Sequence, residues 1–314
     1  MIYTVTLNPV LDRTMSVTNI QFNEILRTTQ VHVDAGGKGF NVSRALKLLG
    51  LGSTALGFVG GAVGEQLERS LHNLGITTDF VIIAGETRTN TVILEEQSDR
   101  YLKVNEPGPS IQISEQMTLI EKVRALVRSG DTWILSGSLP PGCPADSYAV
   151  LIELIKSNTA RVLLDASGLA LTLGCKASPF LVKPNLDEAG QAFGRSLTTQ
   201  SDLSPANVAV NLAIDFFLSC GIEFVALSGG ADGLWLANQQ SRVHAIPPKI
   251  TARNPVGTGD ALLAGLVYAF SRNLPLGEIA RWGTACGTAA AMASGVNFGT
   301  LAEVEAVYKK VIIQ

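Results

Sequence analysis

The sequence contains few of the residues from which metal centres and disulfide frameworks are built. Its 314 residues include only four cysteines and three histidines. No two cysteines form a C-x-x-C pair, and the histidines are too few to complete a zinc site with them. We therefore predict reduced, ordinary thiols at Cys143, Cys175, Cys220 and Cys286.

Clustered positive charge and long apolar runs are also missing. Lys and Arg number 24 against 27 Asp and Glu, for a net charge of −3, and they are scattered along the chain. This pattern argues against a nucleic-acid or polybasic membrane-binding surface. The longest apolar run, residues 261–270, is too short to cross a bilayer, and the amino terminus lacks the features of a signal peptide. We expect a cytoplasmic protein that acts on small molecules, without nucleic-acid or membrane partners.

What the sequence does contain is a series of short β-rich runs separated by helical patterns. With 46% hydrophobic and 16% charged residues, the chain is long enough to bury one large core, or a core with a small appended domain. Most runs are continuously apolar rather than alternating, which is typical of strands buried on both faces. The strand runs lie at 2–7, 54–59, 132–136, 161–165, 180–183 and 224–228, with helical patterns such as 145–157 and 206–220 between them. The pattern predicts an α/β protein with a mainly parallel sheet.

Two stretches, 12–34 and 86–104, break this rhythm. They are more polar, richer in Thr and partly alternating, which predicts exposed antiparallel strands in a small second sheet. No Pro- or Ser-rich linker separates them from the rest of the chain. We therefore expect a single domain over residues 1–314, with two excursions that form the small sheet.

The segment 34–50, DAGGKGFNVSRALKLLG, predicts a glycine-rich loop that leads into a helix ending at Gly50. The glycines would let backbone N–H groups approach a ligand, and Lys38 and Asn41 could donate to hydroxyl or phosphate oxygens. The alternative is a tight strand-to-helix turn with an exposed lysine. A P-loop is excluded because Gly39 follows Lys38 where that motif requires Ser or Thr. The dinucleotide-binding fingerprint is excluded because its glycines must lie between a strand and a helix, and the one loose match in the sequence does not.

The segment 254–265, NPVGTGDALLAG, places a glycine-rich turn at the start of an apolar helix. Such a helix start attracts anions, because its first N–H groups lack partners within the helix and its dipole is positive there. The carboxylate of Asp260 occupies the position where an anionic ligand would otherwise bind, so its presence there has to be explained. It is either a helix cap or a catalytic group, and the segment alone does not choose between them.

Polar loops follow several of the predicted strands. They are SGSLP at 136–140, KPNLDE at 183–188 and LSGGADG at 227–233, and Asp12 follows the first strand. Each could be only a turn, because Ser, Gly, Asn and Pro are common turn residues. The carboxyl ends of parallel strands meet at one edge of a sheet, however, so together the loops indicate a site for a polar, anionic ligand.

Taken together, AGGKGFNVSRAL and NPVGTGDALLAG resemble the two signatures of the ribokinase-like carbohydrate kinases, the PfkB family. TLNPVLDRT, GETRTN and the three polar loops extend the resemblance over essentially the whole chain. It implies a three-layer α/β/α fold with a mainly parallel central sheet and a small β-sheet lid that commonly pairs with its copy in a dimer. Within the family, the chain is most similar to bacterial kinases that use ATP to convert tagatose 6-phosphate or fructose 1-phosphate into a bisphosphate. The sequence does not distinguish these two substrates.

The resemblance also implies roles for individual residues. Asp260 becomes the catalytic base, and the backbone N–H groups of Gly257, Thr258 and Gly259 form an anion hole. The sugar is surrounded by Asp12, Gly36, Gly37, Lys38 and Asn41, and its existing phosphate by Arg27, Arg88 and Ser138. ATP is contacted by Lys183, Asn185, Glu188, Ser228, Gly230, Gly233 and Gly257, with Glu188 beside Mg²⁺.

Two other functions remain open on the sequence. One is a kinase of an unphosphorylated sugar or nucleoside, which Arg88 and Ser138 oppose because a planar guanidinium in the sugar site suits a phosphate group. The other is a catalytically silent sugar- or nucleotide-binding regulator on the same fold. Retention of Asp260 beside its glycine turn argues against the second.

Overall fold

The computed structural model describes residues 1–96, 98, 100–194, 208–253, 256–293 and 298–314. Its strands are β1 (Ile2–Thr6), β2 (Val10–Val17), β3 (Gln30–Gly36), β4 (Thr54–Val59), β5 (Thr77–Thr78), β6 (Val81–Ile82), β7 (Arg88–Glu95), β8 (Tyr101–Val104), β9 (Thr132–Ser136), β10 (Arg161–Asp165), β11 (Leu181–Val182), β12 (Phe224–Ser228), β13 (Leu234–Ala237), β14 (Arg242–Ile246) and β15 (Ile312–Ile313). Its helices are α1 (Lys38–Leu48), α2 (Gly61–Asn73), α3 (Ile113–Leu126), α4 (Ser147–Lys156), α5 (Gly168–Lys176), α6 (Leu186–Phe193), α7 (Val208–Ser219), α8 (Thr258–Ser271), α9 (Leu276–Met292) and α10 (Leu301–Tyr308).

A large sheet has the strand order β15-β14-β13-β12-β11-β10-β9-β1-β4-β5, and β6 also pairs with β4. Neighbouring strands run parallel from β12 to β5. The mainly parallel sheet is therefore confirmed, and the predicted strand runs correspond to β1, β4, β9, β10, β11 and β12. The antiparallel strands β13, β14 and β15 at one edge were not predicted.

Helices cover both faces of this sheet. Along β9, Trp133 and Leu135 join a core cluster with side chains of α3 to α7, whereas Ile134 joins a second cluster with α1, α8, α9 and α10. Successive side chains of a strand point to opposite faces, so this division gives three layers, as the resemblance implied. The predicted helix at 145–157 is α4. The one at 206–220 is α7, with residues 206 and 207 outside the described residues.

The longest apolar run of the sequence lies in α8, where Leu263 and Leu266 are completely buried. This helix packs against α1 and α9 and so belongs to the core of the second helical layer. Among the described residues, no helix is both long enough and apolar enough to cross a membrane. The four cysteines are free thiols, as predicted.

The small sheet, here called the lid, has the order β3-β2-β7-β8. Its two hairpins are antiparallel, but their first strands, β2 and β7, pair in parallel. The prediction of antiparallel strands was wrong at this central pair. Both hairpins leave the same edge of the main sheet, after β1 and after β6, so their first strands run in the same direction. The strands of the lid begin at Val10 and end at Val104, close to the predicted limits.

Candidate active site

A buried carboxylate and two lysines form the centre of the site. Asp165 ends β10 and is completely buried, and its Oδ1 and Oδ2 atoms lie 3.0 Å from Lys38 Nζ and 3.2 Å from Lys183 Nζ, respectively. Lys38 begins α1, whereas Lys183 follows β11 and is itself 4% exposed. Burial alone would raise the pKa of Asp165, but Lys183 and Lys38 bring it below its ordinary value. One carboxylate therefore holds two ammonium groups from different elements.

These ammonium groups face the start of α8. A Cβ atom placed on Gly259 would lie 3.3 Å from Lys183 Nζ, so Lys183 lies against the first turn of the helix. Burial opposes the charged form of Lys38, but the carboxylates of Asp165, Glu188 and Asp260 raise its pKa above the ordinary value. Lys38 therefore stays protonated at neutral pH, and positive charge is concentrated beside the positive end of α8.

Asp260 lies in the first turn of α8 and is 6% exposed. Asn41 Nδ2 donates a hydrogen bond to its Oδ2 at 2.8 Å. Burial, reinforced by the nearby charge of Asp165, raises the pKa of Asp260 to about 6, against the opposing effects of Asn41, Lys38 and Lys183. A carboxylate with this pKa is ionised at pH 7 and still basic enough to accept a proton from a hydroxyl group.

The position of Asp260 differs from that of a helix cap. The N-cap residue of α8 is Gly257, in the left-handed region at φ 78°, so the residue at the cap position has no side chain with which to cap the helix. A glycine is needed there because residues with a Cβ atom rarely adopt this conformation. Among the described residues, the Asp260 carboxylate accepts its hydrogen bond from Asn41 on α1 rather than from the backbone of α8. Residues 254 and 255 of the predicted segment lie outside the described residues.

The lid contributes a second polar group. Asn90 Nδ2 donates to Asp12 Oδ1 at 3.0 Å across the β2–β7 pair. A Cβ atom on Gly36 would lie 2.2 Å from Asp12 Oδ2, so only glycine allows this carboxylate to sit against β3. Burial raises the pKa of Asp12, while the hydrogen bond from Asn90 acts in the opposite direction. Gly37 then provides the N-cap position of α1.

Two amide oxygens in these groups are buried without a partner. Within the part of the chain that the structure describes, neither Asn41 Oδ1 nor Asn90 Oδ1 accepts a hydrogen bond. A buried acceptor without a donor is unfavourable, and such groups in native structures call for an explanation. The hydroxyl groups of a sugar are suitable donors for both.

The residues predicted at the substrate phosphate are only partly brought together. Arg88 donates to the backbone carbonyls of Asn8 at 3.0 Å, Glu106 at 3.0 Å and Pro9 at 3.4 Å. These bonds use three of the five N–H donors of a guanidinium group and connect the two ends of the lid. Ser138 Oγ accepts a long hydrogen bond of 3.5 Å from Asn8 Nδ2. Arg27 is exposed in the connection between β2 and β3.

The predicted nucleotide-binding residues lie on adjoining loops. Asn185 and Glu188 form a capping box at the start of α6, in which Asn185 Oδ1 accepts from Glu188 N at 2.7 Å and Glu188 Oε2 accepts from Asn185 N at 2.9 Å. Ser228 N donates to Pro184 O at 3.0 Å, and this contact joins the two loops. Gly230 begins a short turn, and Gly233 leads from it into β13.

Two residues of the site escaped the sequence analysis. Asp165 ends the apolar run RVLLD, and its position at the carboxyl edge of a buried strand was the available signal. Asn90 lies two residues after Arg88, and the alternation of a strand puts both on one face of the lid. Asp165 belongs to none of the quoted motifs, and Asn90 closes the segment GETRTN but was assigned no role.

The chain matches a known protein family over most of its length. The family model described as pfkB family carbohydrate kinase matches residues 5–302. The 1-phosphofructokinase of Bacillus subtilis (strain 168) is 36% identical over 93% of this chain and 92% of its own length. The 1-phosphofructokinase of Vibrio cholerae (strain El Tor Inaba N16961) is 35% identical over 95% of this chain and 92% of its own length.

The fold is also similar to solved structures of phosphofructokinases. Phosphofructokinase-2 from Escherichia coli, in complex with potassium, superposes with a TM-score of 0.91 at 30% identity, covering 98% of both chains. The tetrameric inhibited form of that enzyme has a TM-score of 0.90 over the same share of each chain. The family match and the identities together show that this chain belongs to the pfkB family of carbohydrate kinases.

Proposed function

We propose that residues 1–314 form a single kinase domain that transfers the γ-phosphoryl group of ATP to a ketohexose phosphate and yields a bisphosphate. The observation that carries this proposal is the buried Asp260 carboxylate with its raised pKa, beside the start of α8 and two lysines. The name shared by the curated relatives, 1-phosphofructokinase, favours fructose 1-phosphate over tagatose 6-phosphate. Measuring ATP-dependent phosphorylation across a panel of sugars and sugar phosphates tests the proposal.

The residues at the centre have complementary tasks in this reaction. Asp260 accepts the proton of the attacking sugar hydroxyl, and Asn41 fixes the orientation of its carboxylate. The N–H groups of Gly257, Thr258 and Gly259 face the transferring phosphoryl group and stabilise the charge on its oxygens. Lys38 and Lys183 add two positive charges to this anion hole. Phosphoryl transfer depends mainly on such positioning and electrostatic stabilisation.

We assign the lid to recognition of the sugar. Asp12 accepts hydrogen bonds from sugar hydroxyls, and Asn90 and Asn41 offer their unpaired amide oxygens beside Gly36 and Gly37. Closure of the lid would exclude water from the phosphoryl group, so that Asp260 faces a hydroxyl of the substrate instead of solvent.

ATP binds, in this proposal, along the loops that carry Lys183, Asn185, Ser228, Gly230 and Gly233. We expect Glu188 to hold Mg²⁺. Its half-buried carboxylate lies close enough to the centre of the site to raise the pKa of Lys38. Among the described residues there is no group of three or more metal-binding side chains. This fits Mg²⁺, which keeps several waters, takes few protein carboxylates and, when bound to ATP, neutralises phosphate charge.

The outer face of the lid supports a homodimer. Val31 and Val33 of β3 and Leu102 and Val104 of β8 are between 37% and 63% exposed. Their register places them on one face, opposite the face that carries Asp12 and Asn90. An exposed apolar face of this kind suits an interface between two copies of the chain. The expectation of a cytoplasmic location stays a prediction.

If Arg88 binds the phosphate of the sugar, replacing it with alanine should raise KM for the phosphosugar at least about 30-fold, which corresponds to about 2 kcal/mol for a charge-assisted contact. KM for ATP should change little. Lysine should restore only part of the affinity, because it lacks the planar guanidinium fork.

Steady-state kinetics with each substrate varied separately measures this effect. Arg69→Ala, at an exposed arginine on α2, is the control and should leave both constants unchanged. An equal loss of affinity for both substrates would assign Arg88 to the structure of the lid, where its three carbonyl contacts already lie.

A further inference from the structure

Two carboxylates lie next to each other on the inner face of the lid. Asp12 on β2 and Asp34 on β3 are directly opposite in the register of the two strands. Side chains opposite each other in an antiparallel pair share a face and lie close together, and like charges there are unfavourable. After burial, Asp34 contributes to the raised pKa of Asp12. A cation close to both carboxylates would offset their repulsion.

Arg44 on α1 is placed to supply that cation. Helix α1 packs against β3, and the Nε and Nη1 atoms of Arg44 are buried without a hydrogen-bond partner in the described part of the chain. Unpaired donors of a buried guanidinium are unfavourable, because water no longer solvates them. Burial lowers the pKa of Arg44, while Asp34 and Asp12 raise it, so both carboxylates lie within electrostatic reach of the guanidinium.

Arg44 lies on the helix that also carries residues of the candidate active site. The same helix carries Lys38, which pairs with Asp165, and Asn41, which donates to Asp260. Lys103 and Arg88 also act on Asp12, but both belong to lid strands, so neither connects the lid to α1. Arg44 instead lies on α1, the helix that carries Asn41, the hydrogen-bond partner of Asp260.

We propose that Arg44 is a positioning residue, which pairs with Asp34 and Asp12 and thereby fixes the sugar-binding carboxylate of the lid relative to Asn41 and Asp260. This inference rests on the proposed phosphosugar kinase function. A small movement of β3 toward α1 gives the unpaired donors Nε and Nη1 their carboxylate acceptors. Removing Arg44 therefore weakens sugar binding, while ATP binding and the phosphoryl-transfer step remain.

Kinetics of Arg44→Met, Arg44→Lys, Asp34→Asn and the Arg44→Met/Asp34→Asn double variant test the proposal. We expect Arg44→Met to raise KM for fructose 1-phosphate about tenfold, the effect of losing one charge-assisted contact, with KM for ATP and kcat within about twofold. Lysine restores part of the loss. The double variant binds the sugar phosphate better than additivity predicts, because Asp34→Asn removes the repulsion that Arg44 had balanced.

Arg281→Met is the matched control, because Arg281 is another half-buried helical arginine but pairs with Glu278 on α9. It should leave KM for the sugar phosphate unchanged. An unchanged KM in Arg44→Met, or a purely additive double variant, overturns the role of Arg44.

Hydrogen exchange of the unliganded variants separates this inference from the proposed function. Arg44→Met should speed exchange in residues 10–17 and 30–36, and leave 132–136 and 161–165 of the main sheet unchanged. If the wild-type protein phosphorylates no sugar phosphate, the proposed function fails, yet exchange still tests the contact. Unchanged exchange in both lid segments, or equal acceleration across the main sheet, would overturn the link between lid and α1.

Discussion

Replacing Asp260 with asparagine should lower kcat by about two to four orders of magnitude, the usual contribution of a general base. The fold should survive, because asparagine has nearly the same shape and can still accept a hydrogen bond from Asn41. ATP binding should also remain. Turnover under saturating substrates, measured together with the thermal midpoint, gives both results from one variant.

The stability of this variant distinguishes a base from a structural residue. The folded-state pKa of Asp260, about 6, is raised above its ordinary value. Burial of Asp260 therefore favours its protonated form. The folded protein loses this part of its stability as pH rises through about 6, because the buried carboxyl group then ionises. At pH 7, asparagine avoids this loss, so the midpoint should stay equal or rise by a few degrees. A variant that unfolds early but keeps its rate would restore the role of a helix cap.

The same pKa sets the pH dependence of the wild-type enzyme. Asp260 can accept the proton of the hydroxyl only when it is ionised, so kcat/KM should fall as pH decreases below about 6.

Replacing Asp165 with asparagine should have the opposite effect on stability and a comparable effect on rate. Two ammonium groups would lose their shared counter-charge, and breaking a buried ion pair in this way costs about 3–5 kcal/mol. We expect kcat to fall about 100-fold or more, because Lys38 and Lys183 no longer face the phosphoryl group in fixed positions. Denaturant unfolding and steady-state kinetics measure the two losses.

Asp131→Asn is the control for this variant. Asp131 is also a buried carboxylate, and it pairs with the amino-terminal ammonium group just before β9, away from the site. It should lose stability and keep kcat. The double variant Asp165→Asn/Lys183→Met should regain part of the stability without regaining the rate. A normal kcat in folded Asp165→Asn would contradict the assignment of Asp165 to the site.

Much of the fold followed from the sequence, because continuous apolar runs such as RVLLD and TWILS mark strands buried on both faces. The direction of β7 relative to β2 did not follow, since it depends on where two distant hairpins leave the main sheet. The edge strands β13 to β15 were also missed. LWLA lies beyond a glycine turn, and β15 is only two residues long, so neither gave a distinctive period.

The sequence singled out residues of the candidate site where a glycine turn precedes a polar residue, as at Lys38 and Asp260. Ion pairs between distant segments were not predictable, because Asp165 meets Lys38 only through the packing of α1 against the sheet. Asn185 and Glu188, which the resemblance placed at the nucleotide, also cap α6, and the sequence analysis did not predict this structural role. Arg88, on lid strand β7, likewise donates hydrogen bonds to three backbone carbonyls that the sequence did not indicate.

The most direct test of the proposed activity is a coupled assay of ADP release with ATP, Mg²⁺ and a panel of acceptors. The panel contains fructose 1-phosphate, tagatose 6-phosphate, fructose 6-phosphate, the unphosphorylated sugars and a nucleoside. We expect a ketohexose phosphate to exceed its unphosphorylated sugar in kcat/KM by about 30-fold or more, the effect of the phosphate contact. Faster turnover of a free sugar or nucleoside, or binding without any turnover, would contradict the assignment as a phosphosugar kinase.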